Sequence, residues 1–400
     1  MTVELRPLGV LCNLQCTYCY QEPIREAGNV RRQYDIEAMK RAIEEDGGSF
    51  VLFGGEPLLV PIDDLAQLFA WGLEKFGRNG VQTNGSLITP AHIELFRRYK
   101  VGVGISIDGP DELNDLRVSG SRQRTREATA RTQANIAALL DAGIEPGLIV
   151  TLHRGNTGAR LPRLIAWMAD LERAGITSIR LHLLESESPT IRSLYGLSDE
   201  ENIATLLALL KFETTLRDLR FDIFSEMRDM LMGRDQQSSC VWNGCDPYTT
   251  PAVRGVEGFG QRSNCGRTNK EGVDFVRAER PGHERYLALY HTPQAAGGCQ
   301  DCRFFLACKG HCPGTAIDGE MRHRTEHCAI WMALLEKIEG DLIERNIVPV
   351  SISPMRRRLE AYFIRAWSDG TAPRLSALMP RTRDTGWRQQ VRALADDLRA

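Results

Sequence analysis

Cys12-Asn13-Leu14-Gln15-Cys16-Thr17-Tyr18-Cys19 follows a short apolar stretch at the start of a 400-residue chain, and its C-x3-C-x2-C spacing organises the reading of all that comes after. Three thiolates this close can hold three corners of a cubane iron-sulfur cluster, but they leave its fourth iron without a protein donor. An iron open to another ligand, beside a group able to deliver one electron, is a site for chemistry. A fully ligated cluster passes electrons or stabilises the fold. A zinc knuckle also uses closely spaced cysteines, yet it would draw a fourth ligand from nearby, and the next cysteine is Cys240.

The spacing, with Tyr18 just before the last cysteine and Tyr20 just after it, resembles the signature of the radical S-adenosylmethionine (SAM) superfamily. The resemblance implies that SAM chelates the open iron through its amino and carboxylate groups. Electron transfer into the sulfonium then releases a 5'-deoxyadenosyl radical, which abstracts hydrogen from a substrate.

Around this loop the chain reads as alternating strands and helices. Strand-type runs occur at 3–10, 49–53, 80–83, 101–107, 147–152 and 178–184, and helical periodicity at 36–43, 65–76, 91–99, 127–142 and 161–173. Such alternation implies a parallel sheet with crossover helices. Six units fit before residue 190, which predicts an α/β fold built on a partial (β/α)6 TIM-type barrel with its chemistry at the C-terminal strand ends. Those ends carry Gly54-Gly55-Glu56-Pro57, Gln82-Thr83-Asn84-Gly85 and Ser106-Ile107-Asp108-Gly109. Each alone is an ordinary turn or cap. Together they resemble the SAM-binding elements of the superfamily. The resemblance implies that Gly54, Gly55 and Glu56 bind the methionine amino group, that Gln82 and Asn84 line the same site, and that Ser106 and Asp108 lie near the ribose. His182 and Glu185 fall near the sixth strand end, where either could face the cavity or be structural.

The formal charge of −2 gives no electrostatic case for nucleic-acid binding. No secretory signal opens the chain and no apolar run is long enough to span a bilayer, so a soluble cytoplasmic protein is expected. Eleven cysteines in such a chain argue for metal clusters over disulfides, the more so because none lies between Cys19 and Cys240. The spacing Cys299-x2-Cys302-x5-Cys308-x3-Cys312, followed by Cys328 and preceded by Cys240, Cys245, Gly260 and Cys265, resembles the SPASM extension of peptide-modifying radical SAM enzymes. By that resemblance Cys240, Cys245, Cys265 and Cys312 hold one auxiliary four-iron cluster and Cys299, Cys302, Cys308 and Cys328 a second, three clusters in all. Two zinc sites of four cysteines each are the alternative. His311, His323 and His327 read as hydrogen-bonding neighbours of a cluster more than as ligands. The expected domains are a barrel (1–190), a helical bridge (191–236), the SPASM domain (237–335) and a helical C-terminal extension (336–400).

Fully ligated auxiliary clusters suit removal of an electron from a substrate radical, making the net reaction an oxidation. The expected function is therefore maturation, by crosslinking, of a ribosomally made precursor peptide with a leader. The alternatives are an anaerobic sulfatase-maturating enzyme, which forms formylglycine, and a dehydrogenase of a small molecule; a zinc-stabilised interaction protein is the non-enzymatic one. Sulfatase maturases place an aspartate base right after the third cysteine of the first auxiliary set, where this chain has Gly266. Asp246 is a substitute base, although an Asp-Pro pair is first a turn former. The expected partners are a one-electron donor such as flavodoxin or ferredoxin and, since the barrel starts at residue 3, a separate leader-recognition protein, the bridge helices, or the tail, whose Arg356-Arg357-Arg358 could dock an acidic leader.

Overall fold

The computed structural model describes residues 2–242, 245–250, 253–268, 278–279 and 282–378. Two compact units emerge, Met1–Asp222 with Val253–Phe275, and Ile223–Ala252 with Val276–Ala400.

The first unit follows the alternation of its sequence: β1 (Thr2–Arg6), α1 (Ile36–Asp46), β2 (Ser49–Leu52), α2 (Ile62–Phe76), β3 (Asn79–Thr83), α3 (Pro90–Arg98), β4 (Val101–Ser106), α4 (Arg122–Asp141), β5 (Gly147–Leu152), α5 (Leu161–Ala174) and β6 (Ser178–Leu183). Neighbouring strands pair in chain order, all parallel. Local chemistry sets the helix ends. Asp35 accepts the Ala38 N–H at 2.9 Å to start α1, and Gly47, at φ 68°, ends it in the left-handed region that glycine tolerates. Along each strand one set of side chains is apolar and sealed: Leu148, Val150 and Leu152 in β5 and Ile179, Leu181 and Leu183 in β6 are all under 10 % exposed. The alternate positions carry Gln82, Ser106, Thr151 and His182, so polar chemistry collects on the other face.

Two features depart from the sequence reading. The stretch read as a continuous helical bridge is broken: α6 (Asp199–Glu213) is followed by β7 (Arg220–Phe221), which pairs parallel to β6, and only then by α7 (Asp222–Leu231). The stretch read wholly as cysteine domain contributes β8 (Arg254–Glu257) and β9 (Arg262–Asn264) to the sheet, β8 lying parallel beside β1. Both strands are short and carry charged residues. A buried ion pair replaces apolar periodicity there: Arg6, 2 % exposed, reaches Glu257, fully buried, at 3.4 Å and also pairs with Glu4.

The second unit packs α8 (Glu284–His291), α9 (Cys328–Glu344) and α10 (Arg356–Ser368) with short cysteine-bearing turns. Leu359, Phe363 and Trp367 of α10 share one core with Tyr286, Leu289, Cys299 and Phe305. Residues 356–368 are therefore built into this core, not appended to it. Arg356 pairs with Glu360, and Arg357 with Glu360 and Asp301. The rest of the expected C-terminal extension, 379–400, lies outside the described residues. No described helix is long and apolar enough to cross a membrane.

Removing one member of a buried ion pair leaves the other uncompensated, which costs about 3 kcal/mol or more. Glu257→Ala should therefore lower stability by about that much, read from the urea midpoint. Glu94→Ala, at the exposed pair with Arg97, should change it by less than about 1 kcal/mol; equal effects of the two would contradict this account.

Candidate active site at the strand ends

The cysteine loop leaves β1 and is held from three directions. Beneath it lies Asp108, at the end of β4 and fully buried. Its Oδ1 accepts from Arg117 Nη2 and from the Thr151 N–H, both at 3.0 Å, and its Oδ2 accepts from the Tyr18 hydroxyl. His153 Nε2 lies 3.5 Å from Oδ2. Because Gly155 N–H donates to Nδ1 of that ring, the imidazole proton sits on Nε2 and points at the carboxylate. Burial alone would raise Asp108, but Arg117 first, then His153, hold its carboxyl well below the usual range. Burial first, then the Asp108 carboxylate, keep the Tyr18 hydroxyl protonated well above its ordinary range, against the pull of Arg117. Asp108, expected to lie near a ribose, has a task within the protein itself. Both its oxygens are committed within the protein, and it anchors the cysteine loop.

From the side, Gln15 and Cys16 pair antiparallel with Val118 and Arg117. From above, the turn after β2 docks directly on the loop. Gly55 N–H donates to Gly9 O at 3.3 Å and Glu56 N–H to Leu11 O at 2.8 Å. A Cβ on Gly55 would lie 2.1 Å from Leu11 O, and one on Gly54, whose φ is 122°, 2.3 Å from Gly9 O. These glycines are thus required by close approach of backbone to backbone. Glu56 is buried, and its carboxylate accepts from Thr83 Oγ1, Leu58 N–H and Asn84 N–H at 2.7, 3.0 and 2.8 Å. Asn84 in turn donates to Asn13 Oδ1 at 2.8 Å, and Asn13 donates to Ser86 Oγ at 3.0 Å. Gln82 Nε2 donates to Ser106 Oγ at 2.9 Å. The three strand-end motifs therefore form one network with the cysteine loop. Asn13, Arg117 and His153 are members that no motif announced, although a polar residue between two cysteines was a usable sign.

Burial pushes the Cys12 thiol up to about 11 and the Cys16 thiol up to about 12. Such sulfurs become thiolates when a metal takes the place of the proton. The chemistry of this donor set, three clamped and partly exposed thiols, fits a cluster with one iron left open.

The sixth strand end brings His182 and Glu185 together with Arg267, two residues after Cys265. Arg267 Nη2 lies 3.1 Å from His182 Nδ1, Arg267 Nη1 lies 3.2 Å from Glu185 Oε1, and the guanidinium sits over the Tyr20 ring. Burial, then the charges of Arg267, Arg180 and Arg117, hold His182 well below the usual histidine range. The ring is neutral, its Nδ1 accepts from Arg267, and Nε2 carries the proton. Gly266 lies against Arg6 and Tyr20.

In the second unit Cys299, Cys302, Cys308 and Cys328 line one cavity with Phe304, Phe305, Trp331, Met332 and Leu335. Among the described residues no three His, Cys, Asp or Glu side chains close on a single-ion site, and no disulfide joins two cysteines. Four thiols spread around a shared space suit a polynuclear group. Burial, then the neighbouring thiols, push Cys299 up to about 12 and Cys308 well above the ordinary range. Cys240, Cys245 and Cys312 belong to the second unit and Cys265 to the first. Asp246 is buried, and its Oδ1 accepts the N–H groups of Tyr248 and Thr249 at 3.1 and 3.3 Å. Through this oxygen it holds a turn, as an Asp-Pro pair commonly does. His311 is stacked against Trp242 and Trp331.

Residues 7–168 match the Radical SAM superfamily. The cysteine-type anaerobic sulfatase-maturating enzyme of Clostridium perfringens (strain 13) is 32% identical over 129 residues, 29% of this chain and 35% of that one. The serine-type enzyme of Klebsiella aerogenes is 29% identical over 214 residues, 49% of this chain and 50% of that one. The chain thus spans between a third and a half of the length of these curated relatives. Among solved structures, anSMEcpe with bound AdoMet superposes with a TM-score of 0.67 at 20% identity, covering 87% of this chain and 99% of that one. Streptococcus suis SuiB bound to precursor peptide SuiA gives 0.54 at 14%, covering 82% and 75%. At these identities the likeness is one of fold.

Gly55→Ala should force the turn after β2 off the cysteine loop. The protein should keep its helical circular dichroism but lose the iron bound through Cys12, Cys16 and Cys19 on anaerobic reconstitution. Wild-type iron content in this variant would contradict the docking described.

Proposed function

From the match of residues 7–168 to the Radical SAM superfamily we propose that the chain is a radical SAM enzyme, an oxidative maturase of a ribosomally made precursor peptide that crosslinks residues within it. The observation that carries this reading is the cavity lined by Cys299, Cys302, Cys308 and Cys328. Four protein thiolates leave no iron open, so the cavity suits electron transfer out of substrate. Cys12, Cys16 and Cys19 hold the SAM-binding cluster, which when bound supplies the electron that cleaves SAM to the 5'-deoxyadenosyl radical.

The chain's own residues then have distinct tasks. Gly54, Gly55 and Glu56 present backbone and carboxylate toward the methionine end of SAM, with Gln82, Asn84 and Ser106 alongside. Three of the four lone-pair positions of Glu56 are taken by protein donors, which leaves one acceptor for an ammonium. Asp108 and Tyr18 keep the loop in place. His182 offers its Nε2 proton as a hydrogen-bond donor to a peptide carbonyl while Arg267 and Glu185 fix the ring. A flavodoxin- or ferredoxin-type protein supplies electrons.

The second reading is formylglycine formation, favoured by the sulfatase-maturating relatives. Gly266, where that class carries its aspartate base, stands against it. Incubating the reconstituted protein with SAM, reductant and either an adjacently encoded peptide or a sulfatase-derived peptide separates them by mass spectrometry. The first reading expects loss of two hydrogens from the encoded peptide and no aldehyde in the sulfatase peptide; the reverse pattern would overturn it.

Cys16→Ala should abolish 5'-deoxyadenosine formation while iron bound elsewhere in the chain is retained. His182→Ala should lower kcat/KM for peptide about tenfold, the worth of roughly one hydrogen bond, with peptide-independent SAM cleavage unchanged.

A further inference from the structure

Helix α9 begins at Cys328, and Cys328, Trp331, Met332 and Leu335 follow at the i, i+3, i+4, i+7 spacing of a single helical face. All four line the cavity of Cys299, Cys302 and Cys308. Trp331 is 4% exposed, and its indole Nε1 is buried with no hydrogen-bond partner among the described residues. Arg324 lines the same cavity. Its Nη1 donates to Gln294 O at 2.6 Å and Gly298 O at 2.9 Å, while its Nε is also buried and unpartnered. A buried N–H left without an acceptor costs about 1–3 kcal/mol. Two residues that carry such donors thus line one cavity, and a group held within it could supply the acceptors. The rest of the lining is aromatic, aliphatic or sulfur-bearing apart from Gly310 and Thr325, the hydroxyl of Thr325 being engaged with Thr315 Oγ1 and the His327 N–H, and no carboxylate belongs to it. The acceptors that the cysteine set brings are sulfur atoms.

We infer that Trp331 Nε1–H and Arg324 Nε–H donate hydrogen bonds to the sulfur atoms of the iron-sulfur group held by Cys299, Cys302, Cys308 and Cys328, and thereby raise its reduction potential. The inference rests on the cluster assignment above. The physical reason is charge: one-electron reduction adds negative charge that spreads onto sulfur, and an N–H dipole aimed there stabilises the reduced form more than the oxidised one. Trp331 is in this sense a positioning residue, acting on the substrate only through the potential of the group it contacts. An acceptor of raised potential beside a substrate radical favours removal of the electron. Trp242 supplies an internal control. It packs in the same aromatic stack, its ring centroid 6.4 Å from that of Trp331 and 4.9 Å from that of His311, but it does not line the cavity.

The test uses the full chain, reconstituted anaerobically with iron and sulfide. Metal analysis comes first: zinc in place of iron in the second unit would overturn the cluster assignment and this inference with it, whatever the behaviour of the N-terminal site. With iron in place, redox titration followed by electron paramagnetic resonance should show Trp331→Phe shifting the reduction equilibrium of one auxiliary species about tenfold toward the oxidised form, ~59 mV for one electron. The SAM-binding species should be unmoved, and Trp242→Phe should behave as wild type. In wild-type protein exchanged into D2O, electron-nuclear double resonance should detect an indole deuteron coupled to that same species. This measurement needs no variant, so a variant that fails to load iron does not decide the matter. An unchanged potential in iron-replete Trp331→Phe, a shift of equal size in Trp242→Phe, or no coupled deuteron in wild type would each overturn the inference.

Discussion

The carboxylate of Asp108, sealed from water, is the constraint on which the first unit depends. It joins three pieces of chain that are distant in sequence: Tyr18 in the cysteine loop, Arg117 on the short ladder beside Cys16, and Thr151 with His153 at the end of β5. Lifting the loop would take the Tyr18 hydroxyl from a buried carboxylate and leave both groups short of a hydrogen bond, at a cost of about 1–3 kcal/mol. The loop is thereby fixed on strand ends, the most rigid part of the fold, and a site built on such elements holds its geometry better than one built on free loops. The Gly54-Gly55 contact and the Glu56–Asn84–Asn13 chain apply the same constraint from the opposite side.

The second unit solves a related problem with other means. Its four-cysteine cavity is walled by Phe304, Phe305 and the apolar face of α9, and behind it Leu359, Phe363 and Trp367 of α10 complete a core around Cys299 and Phe305. Charge enters the lining mainly through Arg324, whose proximity draws the Cys299 thiol down against the much larger effect of burial. A low-dielectric wall of this kind makes each remaining dipole count for more. It is a setting for tuning a redox group more than for binding a polar substrate.

How much of this could be read from the residues depends on where local pattern and tertiary contact agree. The six strands of the barrel and their helices were legible because sealed apolar positions recur with the right period in each. The grouping of Cys299, Cys302, Cys308 and Cys328, which share one cavity, was legible from spacing, and so were the glycine-rich strand ends. Three things were not. β7, β8 and β9 run for two to four residues with charged side chains among them. What keeps β8 in the sheet is the pairing of Glu257 with Arg6, a partner 251 positions away that no local window sees. Asp108 was legible as a site residue but not in its role, because a turn aspartate and a buried anchor look alike until Arg117 and Tyr18 are seen to converge on it. Residues 356–368 read as a basic tail because three arginines dominate the sequence, whereas Leu359, Phe363 and Trp367 determine where the helix goes.

The substrate end of the barrel supplies the last step. An aspartate at position 266 would sit close to Arg6, about 3.5 Å from Cβ to Nη2, but that guanidinium already serves Glu4 and Glu257. A third carboxylate there would add negative charge beside a guanidinium that already faces two carboxylates, and its own pKa would be raised. This chain has glycine at that position, and beside it Arg267, whose charge keeps His182 neutral and occupies the one lone pair its ring could use to take a proton. The group that remains to meet a substrate is an N–H. In the function proposed above, that N–H orients a carbonyl of the peptide. Drawing a proton from a cysteine or serine side chain requires an acceptor, and the residues gathered at this strand end are already spent on one another.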